Sequence, residues 1–595
     1  MGLLQKAVET YDAMACRAGV IDGAEKEPLA PVSHIMARAQ IDITLDREGN
    51  FVTAQALDKD APKIMIPVTE ESAGRTSAPC AHPLCDQLGY TAPGDERKHS
   101  LYLDALSDWE GSAYSHPKLR PILNYVRGGT ILADLSRAGI IQLNEDGRPA
   151  NEKLMVRWTV NGLGEEASGP CWTDQSLMRA YVDYIAAKQA EKPAALCMVT
   201  GTMGALASQH PRGVVPLKGK AKLISANDTK GFTYQGRFDS DTQAATVGYT
   251  ASQKGHSALR WLVANQGAAF GGRTFLCWNP QGKPVPQPHG ILAAMAPQRP
   301  AGPTQYYRQL REALSGWRNE LPDEAGVVIA AFDAATPGRL SVTYYNELMA
   351  SDFLQRLHDW EKTCCWNHGI YGAGSPTLFQ IANLAFGTLR GGKVETDGGI
   401  LRQQMQRLIA CRVNGAAFPA DIERNLVERA SNLQIYTGQK PEDTRKLRED
   451  LLFTACAVIR KYHIQEEWDM ALDRECGDRS YLFGRLLAVA EMVERSTYNG
   501  ETVRETNALR MQKAFALRPM AVWRVLAERL EPYYKQLSPG LREYFRRTTQ
   551  EIVDKLSPEM GDLNQKLEDI YLLGYYHQRA YRTEKADKQE TEEES

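Results

Sequence analysis

The spacing of hydrophobic residues changes near Ser351, and this change limits the folds that the chain can adopt. Before that point hydrophobic residues alternate with polar ones in short runs, as at Ile41, Ile43 and Leu45. Alternation with a period of two is typical of half-buried strands. After Ser351 they recur every three or four residues over long segments such as 447–458, which is typical of helices. The pattern predicts an α+β chain, with an N-terminal mixed α/β half followed by an all-helical C-terminal bundle.

The length of the chain predicts several domains. A chain of 595 residues is too long for one hydrophobic core, so two to four domains are expected. We predict a mixed α/β region at 1–350, a helical region at 351–469 and a C-terminal helical bundle at 470–595. Seven prolines fall within 279–304, which favours a linker or a mobile insertion inside the first region.

Individual elements follow from periodicity and turn residues. The sequence predicts a β-hairpin at 41–54, and it indicates a long ordered loop or a binding surface at 218–253. Further strands are predicted at 64–68, 154–160, 196–201, 274–278, 327–332 and 340–345, the one at 196–201 as a buried strand. Helices are predicted at 98–112, 116–138, 174–191, 255–265, 479–495, 522–530, 541–556 and 563–582.

The helix at 479–495 has a well-defined hydrophobic stripe and a polar remainder. Asp478 or Ser480 is placed to cap its start. The stripe consists of Leu482, Leu486, Val489 and Val493. The charged residues that fall off the stripe are Arg485, Glu491, Glu494 and Arg495. By itself this pattern indicates a bundle helix and no more.

Composition excludes some classes of protein. With 43% hydrophobic and 24% charged residues the chain is not wholly disordered, and a net charge of −3 means that nucleic-acid binding must rest on local patches. We find no run of eighteen apolar residues, and Glu9 and Asp12 make the first helix amphipathic instead of a signal peptide. Eleven scattered cysteines favour reduced thiols, and therefore a cytoplasmic protein.

No motif supports catalysis or a bound metal. Cys80, His82 and Cys85 are close in sequence, but a structural zinc site needs four ligands and a second pair is missing. The glycine pairs at 271–272 and 391–392 lack the spacing of a phosphate-binding loop and read as turns. We therefore expect no catalytic residues, no metal and no cofactor.

The positive signal is for anion binding. Arginine, lysine, amide and hydroxyl side chains are the groups that contact phosphates and base edges, although each of them is also common on a solvated surface. The first candidate set is Arg75, Thr76, Ser77, Gln87 and Lys98. The second is Lys218, Lys220, Asn227, Lys230 and Arg237, where Lys222 continues an alternation of lysines. The third is Arg518, Arg542, Arg546 and Arg547.

Five motifs in order along about 580 residues resemble one known family. They are LLQKAVETYD in the first helix; Arg75-Thr76-Ser77 with Asp86-Gln87 and Tyr90; the segment 197–201 with His210-Pro211; Asp473 with 479–482 and 484–488; and 574–579. Together they are similar to the large subunit of the type I-C CRISPR Cascade complex (the Cas-eight family, subtype c, also called the Csd-one family). Gln87 stands where that family has an Asn.

The resemblance implies a non-catalytic subunit of an RNA-guided antiviral complex. Such a subunit recognises the PAM in the target double-stranded DNA, promotes R-loop formation and guides the displaced strand. The first two candidate sets are then expected at the duplex, and the third along the displaced strand. The implied partners are the crRNA-containing backbone subunits, the subunit holding the guide 5′ end and a helicase–nuclease. Met470 is placed for an internal start that yields a small subunit from the C-terminal region. The alternatives are a scaffold without direct DNA contact and an enzyme with an unrecognised site.

Overall fold

The computed structural model describes residues 2–21, 23, 25–75, 78–165, 167–216, 221–225, 245–292, 302–336, 338–498 and 504–581. About 50% of the chain is helix and 15% is strand, with the sheets concentrated in the N-terminal half, so the predicted α+β class is confirmed. The described helices include none that is long and apolar enough to cross a membrane.

The chain forms two compact units, and each unit is built from three segments that are not consecutive in sequence. The first comprises 1–269, 273–283 and 326–347. The second comprises 270–272, 284–325 and 348–595. Part of the proline-rich segment therefore belongs to the second unit, although it precedes the last strands of the first.

The elements before residue 350 are mixed. The helices are α1 (Leu3–Ala13), α2 (Glu70–Gly74), α3 (Leu88–Thr91), α4 (Glu96–Glu110), α5 (Leu119–Gly128), α6 (Ile131–Arg137), α7 (Gln175–Ala190), α8 (Tyr249–Gln266) and α9 (Pro303–Glu320). The strands are β1 (His34–Ala37), β2 (Ile41–Leu45), β3 (Phe51–Ala56), β4 (Ile64–Pro67), β5 (Val156–Val160), β6 (Gly169–Pro170), β7 (Ala194–Leu196), β8 (Met203–Ala205), β9 (Ala268–Phe270), β10 (Arg273–Trp278), β11 (Gly326–Thr336) and β12 (Arg339–Met349).

Helices dominate after residue 350. They are α10 (Ala350–Thr363), α11 (Leu378–Phe386), α12 (Gly398–Asn414), α13 (Ala420–Ala430), α14 (Pro441–Tyr462), α15 (Arg479–Arg495), α16 (Asn507–Leu517), α17 (Pro519–Gln536), α18 (Pro539–Lys555) and α19 at 571–581. Two short hairpins interrupt them, formed by β13 (Trp366–His368) with β14 (Gly372–Gly374) and β15 (Thr388–Arg390) with β16 (Lys393–Glu395).

Two four-stranded sheets organise the first unit. One has the order β3-β2-β5-β6, in which β2 is antiparallel to β3 and parallel to β5. The other has the order β12-β11-β10-β9. The predicted hairpin at 41–54 is confirmed, and Asp46 closes its turn by accepting hydrogen bonds from the N–H groups of Glu48 and Asn50 at 3.0 and 2.7 Å. Gly49 takes a φ of +93° there, a conformation that favours glycine.

Three predicted elements are wrong in part. The helix at 116–138 is two helices, because Gly129 ends α5 with a φ of +68°. Of the buried strand predicted at 196–201, only Leu196 lies in a strand, at the end of β7, and 197–201 form the connection to β8. Leu196 is 55% and Met198 77% exposed, although Cys197 is buried. The helix at 563–582 begins only at 571. By contrast, the glycine pairs at 271–272 and 391–392 are hairpin turns with positive φ, as predicted.

Helix α15 lies in the interior of the second unit. Asp478 caps it by accepting a hydrogen bond from the Tyr481 N–H at 2.8 Å. Three of its four charged residues off the stripe are as buried as the stripe, with Arg485 and Glu491 each 1% exposed, whereas the Arg495 side chain is 52% exposed. Both are paired with α19: the Arg485 guanidinium donates to Gln578 at 3.0 Å, and the Tyr575 hydroxyl donates to Glu491. A buried charge is tolerable when it is paired in this way.

Residues 284–292 of the proline-rich segment pack within the second unit. The Arg412 guanidinium donates to the Gly290 carbonyl at 2.5 Å, and the Leu292 N–H donates to Glu361 at 2.7 Å. Arg412 and Glu361 form a buried ion pair with each other at 2.7 Å. Residues 293–301 of the predicted insertion lie outside the described residues, and α9 begins at Pro303.

Candidate nucleic-acid interface

An internal ion pair holds the loop between α2 and α3. The two Nη atoms of Arg75 donate to the two carboxylate oxygens of Asp86 at 2.8 and 2.5 Å, and one of them also donates to the Cys80 carbonyl at 2.7 Å. The guanidinium lies 4.4 Å from the centre of the Tyr90 ring. The side chain of Arg75 is 15% exposed and that of Asp86 is fully buried. Arg75 therefore shapes the loop from inside.

Asp86 is the centre of this arrangement. Beside Arg75 it accepts hydrogen bonds from the N–H groups of His82 and Gln87, each at 2.7 Å. The His82 ring bonds to the Ser72 hydroxyl of α2 at 2.9 Å, and burial lowers the pKa of His82 to about 4. Burial raises the pKa of Cys85 well above its usual value. Across the described residues, no cluster of His, Cys, Asp and Glu side chains is arranged to hold a metal ion.

The other members of the first candidate set lie at the edges of this loop. Gln87 is the half-buried residue before α3, and its backbone pairs with Met155. Lys98 lies in the first turn of α4, where its side chain is 30% exposed and forms ion pairs with Asp95 at 3.0 Å and Glu152 at 3.5 Å. The bond to Asp95 raises the pKa of Lys98. Thr76 and Ser77 lie outside the described residues.

A cleft of about 400 Å³ in the first unit begins where this loop begins. Gly74, at the end of α2, forms part of its wall, and the segment 209–213 and Lys222 form another part. The cleft therefore lies beside the residue that precedes Arg75 and includes Lys222. Lys218, Lys220, Asn227, Lys230 and Arg237 themselves lie outside the described residues.

The positive charge of the cleft comes from lysine and arginine, not from histidine, and Glu27 and Glu70 also line it. Burial lowers the pKa of His34 and of His210 to about 4, so both rings are neutral at pH 7. Burial raises the pKa of Glu70, which accepts hydrogen bonds from the N–H and the hydroxyl of Ser208 at 3.1 and 2.9 Å. Lys222, which also lines the cleft, is half-buried.

Comparison with protein families identifies the chain. A family model described as CRISPR-associated protein (Cas_Csd1) matches residues 8–583. The chain belongs to the Cas_Csd1 family. The resemblance drawn from the five motifs is thereby confirmed, and the chain is a CRISPR-associated protein of the Cascade large-subunit type. A comparison with curated proteins gives no match.

Two motifs of this Cas_Csd1 chain meet inside the second unit. The segment 479–488 lies on α15 and the segment 574–579 on α19, and Tyr481 and His577 are hydrogen-bonded at 2.9 Å. The His577 ring also stacks on Trp366 with centroids 4.8 Å apart. These motifs therefore build the core of the unit.

Two members of the third candidate set, Arg542 and Arg546, have partners within the chain, although the Arg546 side chain is 54% exposed. Arg542 donates to the carbonyls of Tyr534, Lys535 and Leu537, which closes the turn between α17 and α18. Arg546 pairs with Glu531 at 3.4 Å and lies over the Tyr534 ring. Arg518 and Arg547 are exposed to solvent.

One cavity of the second unit has a hydrogen-bonded histidine and aspartate in its wall. It measures about 1000 Å³ and includes His368 and Asp450 in its wall. The two ring nitrogens of His368 bond to Asp450 at 3.0 Å and to the Ile370 N–H at 3.1 Å. Both ring nitrogens of this histidine therefore have partners within the chain.

Sequence reasoning did not identify several basic residues near the cleft. Arg212 and Arg260 contribute to its wall, and the backbone of Arg339 is bridged to that of Lys222. They are far apart in sequence and belong to no motif. The alternation that ends at Lys222 was the only signal in the sequence for any part of this group.

Proposed function

We propose that this chain is the non-catalytic large subunit of a type I-C CRISPR surveillance complex that acts in the cytoplasm. In this proposal it recognises the PAM beside the target in double-stranded DNA and promotes strand opening and R-loop formation around the crRNA. It also guides the displaced strand and supports recruitment of the helicase–nuclease. The match of the Cas_Csd1 family model to residues 8–583 carries the proposal.

The loop that follows α2 supports a DNA-reading role for the first unit. Arg75 and Asp86 hold its two ends together, so residues on its surface are presented on a rigid support. Gln87 and Lys98 flank this loop, and glutamine is a residue type that bonds to base edges, whereas lysine meets phosphates. In this proposal Gln87 contributes to reading a base, Lys98 contacts a phosphate and Arg75 acts by positioning the loop.

The exposed arginines of the second unit suit the displaced strand. Arg518 and Arg547 are exposed, whereas Arg542 and Arg546 have partners within the chain. We assign the direct strand contacts to the first pair. The second pair then supports the surface on which they lie.

Binding by the assembled complex tests the proposal. Target duplexes that differ only in the flanking trinucleotide are titrated with complexes carrying Gln87→Ala, Lys98→Ala or the control Arg148→Ala, an exposed residue elsewhere in the first unit. Gln87→Ala should reduce discrimination by about 1–3 kcal/mol, and Lys98→Ala should weaken all duplexes alike. Unchanged binding and discrimination in both variants would favour a scaffold without DNA contact.

The internal start at Met470 remains a proposal that one measurement decides. Mass spectrometry of the complex expressed from the native gene should show a second, shorter product that begins at Met470. If only the full-length chain is present, the small subunit does not come from this start.

A further inference from the structure

Three cations of the first unit lie side by side across three segments of chain. Arg212 and Lys222 are directly opposite in an antiparallel bridge, and Lys222 and Arg339 are directly opposite in a parallel one. The backbone bonds that fix the pairing run from the Gly213 N–H to Ala221 at 3.1 Å and from the Leu340 N–H to Lys222 at 2.9 Å. Directly opposite residues project from the same face of a sheet, and neighbouring segments are about 5 Å apart.

This arrangement places like charges beside one another. Like charges at directly opposite positions repel. Burial and the charge of Arg212 lower the pKa of Lys222, and the opposing influence of Glu70 is smaller. None of the ion pairs between described residues involves Arg212, Lys222 or Arg339. The row therefore has unneutralised charge on an ordered backbone.

A half-buried arginine holds the backbone of one segment of the row. The Arg260 guanidinium, carried by α8, donates to the Arg212 carbonyl at 2.7 Å and to the Gly213 carbonyl at 3.3 Å. It thereby attaches the segment of Arg212 to a helix. Arg260 is a positioning residue, because its guanidinium donates its hydrogen bonds to these backbone carbonyls.

The surroundings favour a duplex backbone as the ligand. Arg212 and Lys222 line the same cleft as Gly74, the residue before Arg75. Single-strand binding surfaces combine positive charge with exposed aromatic rings on which bases stack. Within the described lining of the cleft, the aromatic rings are those of His34 and His210, and both are buried. Contact by charge without stacking suits a duplex backbone.

We propose that Arg212, Lys222 and Arg339 form a row that binds the sugar-phosphate backbone of duplex DNA beside the Arg75 loop. The assignment rests on the proposed function, in which the first unit meets the target duplex. It adds a set of sequence-independent contacts that hold the duplex while the loop reads bases.

Salt dependence of binding tests the row. The complex is assembled with Arg212→Gln, Lys222→Gln and Arg339→Gln combined, and its affinity for target duplex is measured from 50 to 200 mM salt. The control combines Lys59→Gln, Arg137→Gln and Arg148→Gln, which removes the same charge from exposed residues elsewhere in the first unit. The slope of log affinity against log salt should fall by about 2 to 3 in the row variant and stay unchanged in the control, since each duplex phosphate contact contributes about 0.9. The affinity should fall by the same factor for every flanking trinucleotide.

Stability separates a binding role from a structural one. Because the substitutions remove repulsion, the row variant should unfold at the same temperature as the unmodified chain or at a higher one. Weaker binding that accompanies a lower unfolding temperature would overturn the proposal, as would a salt slope equal to that of the control. Loss of guide RNA from the row variant with an unchanged duplex slope would assign the row to RNA and also overturn it.

The proposed function fails under different results. If the unmodified complex binds duplex without regard to the flanking trinucleotide, PAM recognition is wrong, whereas a reduced slope in the row variant would still establish the phosphate contact. If the unmodified complex discriminates and the row variant matches it in affinity and slope, only the row is wrong. Absence of any duplex binding by the unmodified complex would overturn both.

Discussion

Gly484 on α15 and Gly574 on α19 lie where two helix backbones touch. A Cβ added at Gly484 would collide with the Tyr571 carbonyl oxygen, and one added at Gly574 would collide with the Tyr481 carbonyl oxygen. Only glycine allows this approach, which brings Arg485 and Tyr481 within hydrogen-bonding reach of Gln578 and His577.

Gly484→Ala should therefore destabilise the second unit. The added methyl meets backbone, which cannot rotate away, so we expect a loss of about 1–3 kcal/mol in the free energy of unfolding. Urea unfolding of the chain measures it. Gly540→Ala is the matched control, because Gly540 lies in α18 with open space around its Cβ position and the change should stabilise by about 0.5–1 kcal/mol. Equal stability of the two variants would contradict the close helix contact.

Arg75→Ala should lower the stability of the first unit, and any effect on DNA binding should follow from that loss. It leaves the buried Asp86 carboxylate without its charged partner, which typically costs about 3–5 kcal/mol. Arg75→Lys should not restore stability, since an ammonium cannot make the two-pronged bond. Unfolding of Arg75→Ala, Asp86→Ala and the double variant gives the coupling between them. A coupling near zero, with DNA binding lost at unchanged stability, would instead assign Arg75 to the DNA.

The second unit should lose stability as pH rises from 6.5 to 9. The bond to Asp569 at 2.7 Å, with a further one to Glu466 at 2.8 Å, raises the pKa of His463 to about 9. Because the folded state holds this proton more tightly than the unfolded chain does, the stabilisation is complete below about pH 6.5 and disappears as pH passes 9. Burial, followed by Asp569, raises the pKa of Glu423 to about 7, which acts in the same direction between pH 4.5 and 7.

His463→Gln isolates the histidine contribution. Urea unfolding at pH 6 and pH 9 should show a smaller difference in unfolding free energy for this variant than for the unmodified chain. The same pH difference in both proteins would show that the His463–Asp569 pair does not control it.

A C-terminal fragment that starts at Met470 should be helical but less stable than one that starts at Ala420. The shorter fragment loses Glu449 on α14, which pairs with Arg579 at 2.7 Å, and Ser431, which bonds to Tyr571 at 2.5 Å. It keeps Glu491, the more distant partner of Arg579 at 3.8 Å. Thermal unfolding followed by circular dichroism compares the fragments 470–595 and 420–595. Equal unfolding temperatures would mean that α13 and α14 contribute nothing to the bundle. If the shorter fragment is less stable, a separately translated product needs another protein to cover the surface that α13 and α14 cover in the full chain.

Local patterns of the sequence determined the class of fold and many of its elements. Alternation over 41–45 and the Asp46 and Gly49 turn specify a hairpin, and Asp478 specifies the start of α15, because these features depend on residues a few positions apart. The motifs also sufficed to place the chain in its family.

Only the tertiary structure decided the roles of individual charged residues. Arg75 has the sequence context of a free loop cation, yet it forms an ion pair with Asp86. Arg485 and Glu491 lie off the hydrophobic stripe of α15 and are buried nevertheless. The row of Arg212, Lys222 and Arg339 exists because the backbone pairs segments that are distant in sequence. Whether a charge meets solvent, a carboxylate or another cation depends on which segments pack together, and periodicity along one segment does not contain that information.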